Sequence, residues 1–415
     1  MLKKIATTDL RLGMHLHALE GPWLAHPFWR SKFTLADEAD LRALLGSGVS
    51  HCWIDPAKGL DVVADEPAPT PLDPVERALT QPASLLDLPA QTDAVPAPSV
   101  SFEDEMAQAV RLCKQSKLAV QQLFGQLRMG KALNAQAFQP LVEELAASVF
   151  RNPGALVSLV RLKTKDDYSY MHSVAVCALM IALARELGMS ATACREAGLA
   201  GLLHDVGKAL MPLDVLNKPG RLTEAEFAVM RSHPARGHAV LVESGTASAV
   251  ALDVCLHHHE RLDGRGYPHG LAGDAISTLA RMGAICDVYD AVSSARPYKA
   301  AWDPADSLSR MASWAGHFDP TLFAVFVRSL GIYPTGSLVR LRSGRLAIVV
   351  KQHPKDLTTP TVKVFFSTKS NLPIAVTQID LARRDVDDAI VGREPRGQWK
   401  ALQLDALWAG DAAKG

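Results

Sequence analysis

An imidazole beside a carboxylate at the end of an apolar helix is the first chemistry this sequence offers. His204 and Asp205 close the run Leu199, Leu202 and Leu203, and Val206, Gly207 and Lys208 follow them. A buried carboxylate requires a partner. Adjacent side chains on a helix point about 100° apart, so both residues serve one centre only if it wraps that edge, as two metals bridged by the carboxylate would. Alone, the pair also reads as a helix-end histidine with a capping aspartate. Further places support the metal reading. His172 starts an otherwise apolar helix (Val174, Val176, Leu179, Met180, Leu183), His233 precedes Pro234, and His257, His258, His259 and Glu260 open a glycine-rich loop. Asp287, in Ile285-Cys286-Asp287-Val288-Tyr289-Asp290, adds a carboxylate. Eight of the 14 histidines fall between His172 and His269, an excess that packing alone does not explain. Histidine with carboxylate and no thiolate favours iron, manganese, zinc or a related divalent ion.

Two further motifs could meet a substrate. In Asp263-Gly264-Arg265-Gly266-Tyr267-Pro268 the glycines permit close backbone approach and the proline fixes the exit. A bland turn would need no tyrosine. Arg296-Pro297-Tyr298-Lys299 sets a guanidinium and an ammonium three residues apart, suited to phosphate oxygens, although the spacing equally fits a solvated surface pair.

The elements that must carry these groups are mostly helices. From Tyr170 to about Leu330 the pattern reads as helix broken by Gly and Pro turns. Ser101 with Asp104 forms a capping box ahead of an amphipathic helix carrying Met106, Val110, Cys113, Leu118, Leu123 and Leu127, and a second helix is expected over Ala135 to Phe150. Short β-branched runs follow at Ser337 to Leu341, Leu346 to Val350 and Thr361 to Phe366, and the last residues are expected to fray. Near the amino terminus, Met14 to Leu19 and Cys52 to Ile54 read as strands around a helical segment, Ala36 to Leu45. Residues 66 to 98 hold eight of the 25 prolines and read as an extended linker. The expected organisation is an α+β module over 1–65, the linker to 100, connecting helices over 101–163, a mainly α catalytic domain over 164–330, a β-rich appendage over 331–390 and a tail over 391–415.

With 415 residues, 48% hydrophobic, and 44 basic against 44 acidic side chains, the chain has an ordinary globular composition and no global field for DNA or RNA polymers or anionic membranes. The longest apolar run, Val174 to Ala184, is shorter than the roughly 20 residues that span a bilayer. The first residues lack the apolar segment of a secretory signal, so a cytoplasmic location is expected. Six scattered cysteines suit reduced, buried thiols.

Taken in order, the motifs His172-Ser173, His204-Asp205-Val206-Gly207-Lys208, Lys218-Pro219-Gly220, His233-Pro234, His258-His259-Glu260, Asp263 to Pro268, Asp287 to Ala291, Arg296 to Lys299 and Phe318-Asp319-Pro320 resemble those of the HD-GYP phosphodiesterases of the HD superfamily. The resemblance spans roughly residues 160 to 330. His26-Pro27-Phe28-Trp29-Arg30 and Trp53-Ile54-Asp55 resemble an uncharacterised module often found ahead of such domains in bacteria. The resemblance implies hydrolysis of cyclic di-GMP to the linear dinucleotide, with GMP as a further product left open. It implies metal ligands at His172, His204, Asp205, His233, His258, His259 and Asp287, with Asp205 bridging two divalent ions, iron or manganese first, with zinc, magnesium, cobalt or nickel as alternatives. His257 and Glu260 inherit no ligand role. Tyr168 stands where some members carry a third-metal carboxylate, so two metals are expected. Lys208 would stabilise developing charge or help protonate the leaving group. Substrate contacts are expected from Arg296, Lys299, Tyr267, Gly266 and Asp290. A cyclic-dinucleotide sensor with weak catalysis and a hydrolase of cyclic GMP-AMP are the alternative functions. A homodimer through the helices of 101–150 and protein partners at the amino-terminal module or the tyrosine loop are open interactions.

Overall fold

The computed structural model describes residues 2–19, 33–46, 49, 51–60, 100–163, 168–294, 301–353, 356–399, 403–410 and 412. The chain divides into two compact units, Met1–Thr70 and Pro71–Gly415.

Period-two alternation builds the first unit. In β4 (His51–Ile54), Cys52 and Ile54 are fully buried while Trp53 between them is 39% exposed. This strand pairs antiparallel with β1 (Lys3–Ala6) and β2 (His15–Leu19), and β3 (Phe33–Thr34) pairs on β2, giving the order β1-β4-β2-β3. Helix α1 (Glu38–Gly46) seals the sheet with Leu44, which packs with Met14, Leu16 and Phe33. The strand β1 was not anticipated. The motif at His26 to Arg30 and the proline-rich linker lie outside the described residues.

The second unit opens with α2 (Phe102–Arg128), whose capping serine accepts the Asp104 amide at 3.1 Å. Its apolar stripe is buried in its own chain through Met106, Cys113, Leu123 and Leu127. Leu118, expected on that stripe, is instead 58% exposed, because the buried line passes through Ser116 and Val120. A 3-10 turn (Ala135–Phe138) leads into α3 (Gln139–Arg151), and α4 (Pro153–Leu159) follows. These helices share one core with α5 (Tyr168–Glu186), α6 (Ala191–Leu203) and the elements beyond, so the connecting helices are part of the helical body rather than a spacer. Helix α5 is buried on every side from Met171 to Ala184, as an all-round apolar helix must be. After α6 come a 3-10 turn (Val206–Leu210), α7 (Leu213–Leu216), α8 (Glu224–Met230), α9 (His233–Ser244), α10 (Ala249–His257), α11 (Thr278–Ser293), α12 (Pro304–Ala312) and α13 (Pro320–Leu330). Ser190, Ser248 and Ser277 cap α6, α10 and α11 through their hydroxyls, which fixes where three ligand-bearing helices begin.

An antiparallel sheet closes the unit, ordered β8-β7-β6-β5-β9, with β5 (Leu338–Leu341), β6 (Arg345–Lys351), β7 (Thr361–Ser367), β8 (Leu372–Asp380) and β9 (Ile390–Arg393). The three expected strands are present. Strands β8 and β9 escaped notice because β8 is mostly exposed and carries Pro373, and β9 is short and interrupted by Gly392. The expected fraying of the tail is corrected: α14 (Ala406–Ala409) packs through Leu404 and Trp408, each 5% exposed, and Lys363 donates to the Leu407 carbonyl at 2.9 Å. Among the described residues, no helix is long and apolar enough to cross a membrane.

Candidate metal centre

The helix ends converge on two groups of donors, His172 with His204 and Asp287, and Asp205 with His233, His258 and His259, the donor atoms of each group lying within 4.8 Å of one another. Asp205 faces both groups. Its Oδ2 lies 3.4 Å from His172 Nε2 and 3.3 Å from His204 Nε2, while Oδ1 lies 3.1 Å from His233 Nε2 and 3.7 Å from His258 Nε2. Asp287 also reaches across, with Oδ1 2.9 Å from His172 Nε2 and Oδ2 3.7 Å from His259 Nδ1. All seven expected ligands are therefore brought together, and the carboxylate beside His204 stands between the two histidine groups.

Backbone carbonyls decide which nitrogen each imidazole presents. His204 Nδ1 lies 2.7 Å from the Gly201 carbonyl, His233 Nδ1 2.8 Å from that of Met230, and His258 Nδ1 3.0 Å from those of Val254 and Cys255. A carbonyl only accepts, so each Nδ1 carries its proton and each Nε2 offers a lone pair to the centre. His172 is oriented by a carboxylate instead: its Nδ1 lies 2.6 Å from Asp290 Oδ2, and Lys163 Nζ grips both oxygens of Asp290 at 2.5 and 2.7 Å. Such outer partners fix the tautomer and orientation of a metal-binding imidazole.

The electrostatics agree. Burial, then the charge of His259, holds the His258 ring far below the usual imidazole range, and burial pushes His259 down to about 3 against the pull of Asp287. Both rings are neutral. Burial by itself would raise the carboxyls of Asp205 and Asp287, but Lys208 and His204 beside the first, and His172 and His259 beside the second, keep both ionised. For His172 burial opposes protonation, and hydrogen bonds to Asp287 and Asp290 overcome it and raise its pKa. Two buried atoms aimed inward, His204 Nε2 and Asp205 Oδ1, have no hydrogen-bond partner. Orphaned buried polar atoms are rare. A divalent cation among these nitrogen and oxygen donors satisfies them, so the residues fit the metal expected from the sequence.

Two glycines make the convergence sterically feasible. A Cβ on Gly207 would overlap the carbonyl of His233, so the turn after Asp205 can meet the start of α9 only with glycine there. A Cβ on Gly266 would collide with the backbone of His259, Glu260 and Arg261, so the tyrosine loop lies flat on the ligand-bearing segment. Gly266, expected at the substrate, thus has a packing reason for its identity. The Tyr267 ring lies tilted against His259, ring centroids 4.6 Å apart, and the Arg231 guanidinium lies 4.7 Å from the tyrosine ring centre. Burial, reinforced by Asp287 and Asp205, raises the Tyr267 hydroxyl and keeps it protonated. Lys208, 23% exposed at its side chain, forms an ion pair with Asp205 at the rim.

Asp290 is not at that rim. It is 2% exposed and held by Lys163, His172 and Ser294, behind the centre rather than at a substrate surface, which corrects its expected contact. Arg296 and Lys299 lie outside the described residues. Sequence reasoning missed two residues. Lys163 carries no periodic or motif signal; Arg231 stands two residues before His233. The Glu260 carboxylate accepts the amides of His269 at 2.7 Å and Leu271 at 3.0 Å, tying down the tyrosine loop. His257, likewise outside the ligand set, pairs with Asp253 at 2.7 Å.

A helical body with two histidine groups sharing an aspartate from a His-Asp pair defines a metal-dependent HD-domain protein. The sequence matches the HD domain family over residues 142–322 and a domain of unknown function, DUF3391, over residues 2–138. It is 52% identical over 412 residues to the cyclic di-GMP phosphodiesterase PA4108 of Pseudomonas aeruginosa, covering 99% of this chain and 96% of that protein. It is 44% identical over 150 residues to the cyclic di-GMP phosphodiesterase response regulator RpfG of Xanthomonas campestris pv. campestris, covering 35% and 39% of the two chains. Against the 3'3'-cGAMP-specific phosphodiesterase 1 of Vibrio cholerae it is 36% identical over 167 residues, 40% of this chain and 38% of that one. The chain belongs to the HD-GYP family of HD-domain phosphodiesterases, with the DUF3391 module in front.

Proposed function

We propose that this chain hydrolyses cyclic di-GMP to the linear dinucleotide at a dinuclear centre of iron or manganese. The observation that carries the reading is Asp205, with one oxygen toward His172 and His204 and the other toward His233 and His258. His172, His204 and Asp287 would hold one ion, His233, His258 and His259 the second, and Asp205 would contribute to both. Such ions supply Lewis-acid neutralisation of phosphate charge and activation of a water nucleophile.

The chain's own residues do the rest. The two carboxylates, Asp205 and Asp287, stay ionised and leave a cationic loaded site for a phosphodiester. Lys208 Nζ, anchored on Asp205 at the rim, adds a fixed positive charge where the phosphoryl group gains negative charge, and we assign it charge stabilisation. Tyr267, in contact with His259 and Arg231 and protonated, donates a hydrogen bond to the ribose or guanine side of the substrate. Arg296 and Lys299 hold the phosphates. Asp290 orients His172 without touching substrate.

The test is turnover by purified protein loaded anaerobically with Fe(II) or Mn(II), read by chromatography with cyclic di-GMP and 3'3'-cGAMP side by side. Linear product from cyclic di-GMP that disappears in the double variant His204→Ala/Asp205→Ala supports the reading. Undiminished turnover in that variant overturns it, and tight binding without product would make the chain a sensor.

A further inference from the structure

Away from the metal centre, the second unit holds a cavity of about 570 Å³ between α3, α4, the end of α5, α13 and β6. Five cations line it, Arg151, Arg161, Arg185, Arg328 and Lys351, against a single lining carboxylate, Glu186. Glu105 behind the wall cancels Arg151 in a pair at 2.7 Å, which leaves three positive charges in one hollow of a chain whose formal charge is zero. Arg185 and Arg161 are held by carbonyls, of Val149 at 2.9 Å and Thr335 at 3.0 Å, so their guanidiniums are fixed in place and retain further donors. Arg328 and Lys351 make no hydrogen bond or ion pair among the described residues. Clustering like charges costs free energy unless an anion joins them. Apolar side chains line it too, among them Phe150, Val157, Leu330 and Leu357. A volume within the range of small-molecule sites, lined by cations and by apolar side chains, matches a phosphate head with a flat organic body.

We propose that this cavity is a second ligand site, binding a phosphorylated small molecule of the nucleoside phosphate class, separate from the catalytic centre. Its floor gives it a route to that centre. Tyr289 lines the cavity and stands on α11 between Asp287, a metal-group carboxylate, and Asp290, which orients His172. Residues two apart on a helix point in nearly opposite directions, so the cavity lies behind the helix whose front faces the metals. Arg185 and Glu186 end α5, the helix that carries His172 near its start. A ligand drawn in by the arginines presses on the backs of two ligand-bearing helices.

The experiment is calorimetric titration of the metal-free full chain with inorganic pyrophosphate and, separately, with adenosine diphosphate. One equivalent should bind, the nucleotide more tightly because it adds the apolar lining. Removing two charge-assisted contacts in Arg328→Ala/Lys351→Ala should weaken either probe about tenfold or more. Neither residue belongs to the two donor groups, so metal loading and basal turnover should be retained, and a milder Arg328→Gln variant serves if the double variant does not fold. Pyrophosphate binding as tightly as the nucleotide would assign the site to inorganic polyphosphate. Absence of binding at millimolar probe, or binding that survives Arg328→Ala/Lys351→Ala and falls with Lys208→Ala, overturns the proposal.

Discussion

Replacing Asp290 with alanine should damage folding and metal binding by separable amounts. The Lys163 and Asp290 side chains are 0% and 2% exposed, with Nζ 2.5 Å from Oδ2. Removing the carboxylate takes from a buried ammonium the group that grips it through both oxygens, and deleting one partner of a buried pair costs about 3–5 kcal/mol. The same deletion frees His172 Nδ1, which lay 2.6 Å from Asp290, and loss of such an orienting partner weakens metal binding about 10–100-fold. Asp290→Asn separates the two effects. Its amide oxygen still accepts from His172, so metal affinity falls less than in the alanine variant, while the neutral amide no longer offers Lys163 the carboxylate charge and most of the stability loss remains. Lys163→Met/Asp290→Ala removes both charges and should recover much of the folding loss without recovering affinity. Urea unfolding of metal-free protein gives the first quantity, and Mn(II) titration against a chromogenic chelator gives the second. If Asp290→Ala costs less than about 1 kcal/mol and binds Mn(II) within about threefold of the parent, the buried network does not orient His172.

Three other outcomes follow from the geometry. Gly207→Ala forces the turn off the His233 carbonyl, so it should cost about 1–3 kcal/mol by overpacking and reduce metal content through loss of the His233 group, read by elemental analysis and thermal unfolding. Metal affinity should rise with pH through the elevated pKa of His172, because the ion displaces the proton on Nε2, whereas His258 and His259 are already neutral; calorimetry in buffers of differing ionisation enthalpy counts that proton. The sign reverses for the metal-free fold, in which that proton is stabilising below the unfolded imidazole pKa and its contribution is lost as pH rises through the folded value. All six cysteines are buried, and burial pushes Cys52 and Cys194 up to about 11 and Cys113 to about 12, so a disulfide-exchange reagent at pH 8 should label few thiols in native protein and six after denaturation.

Local rules made much of the fold legible. Ser101 caps α2 through the Asp104 amide, although the Asp104 carboxylate meets the serine hydroxyl rather than closing the expected capping box, and alternation in Cys52-Trp53-Ile54 gives a strand with its odd residue outward. Where local signals were weak the sequence misled. Trp408 and Leu404 look like a loose tail until the carboxy-terminal sheet, β6 in particular, supplies a surface for this segment to cover, and Asp290 looks like part of a substrate motif until Lys163, 127 residues away, takes its carboxylate inward. The basic cavity has no signature at all, since its arginines come from segments distant in sequence.

For the centre itself, the amino-acid types and the order of their motifs determined the candidate donor set, because histidine and carboxylate offer these nitrogen and oxygen donors and all seven sit in short motifs, His204 with Asp205 and His258 with His259 sharing one each. Tertiary structure alone decided how that set is divided. Which imidazole joins which group, which oxygen of Asp205 faces each, and which ring nitrogen is free depend on contacts between helices distant in sequence and on carbonyls that exist as acceptors only where a helix ends.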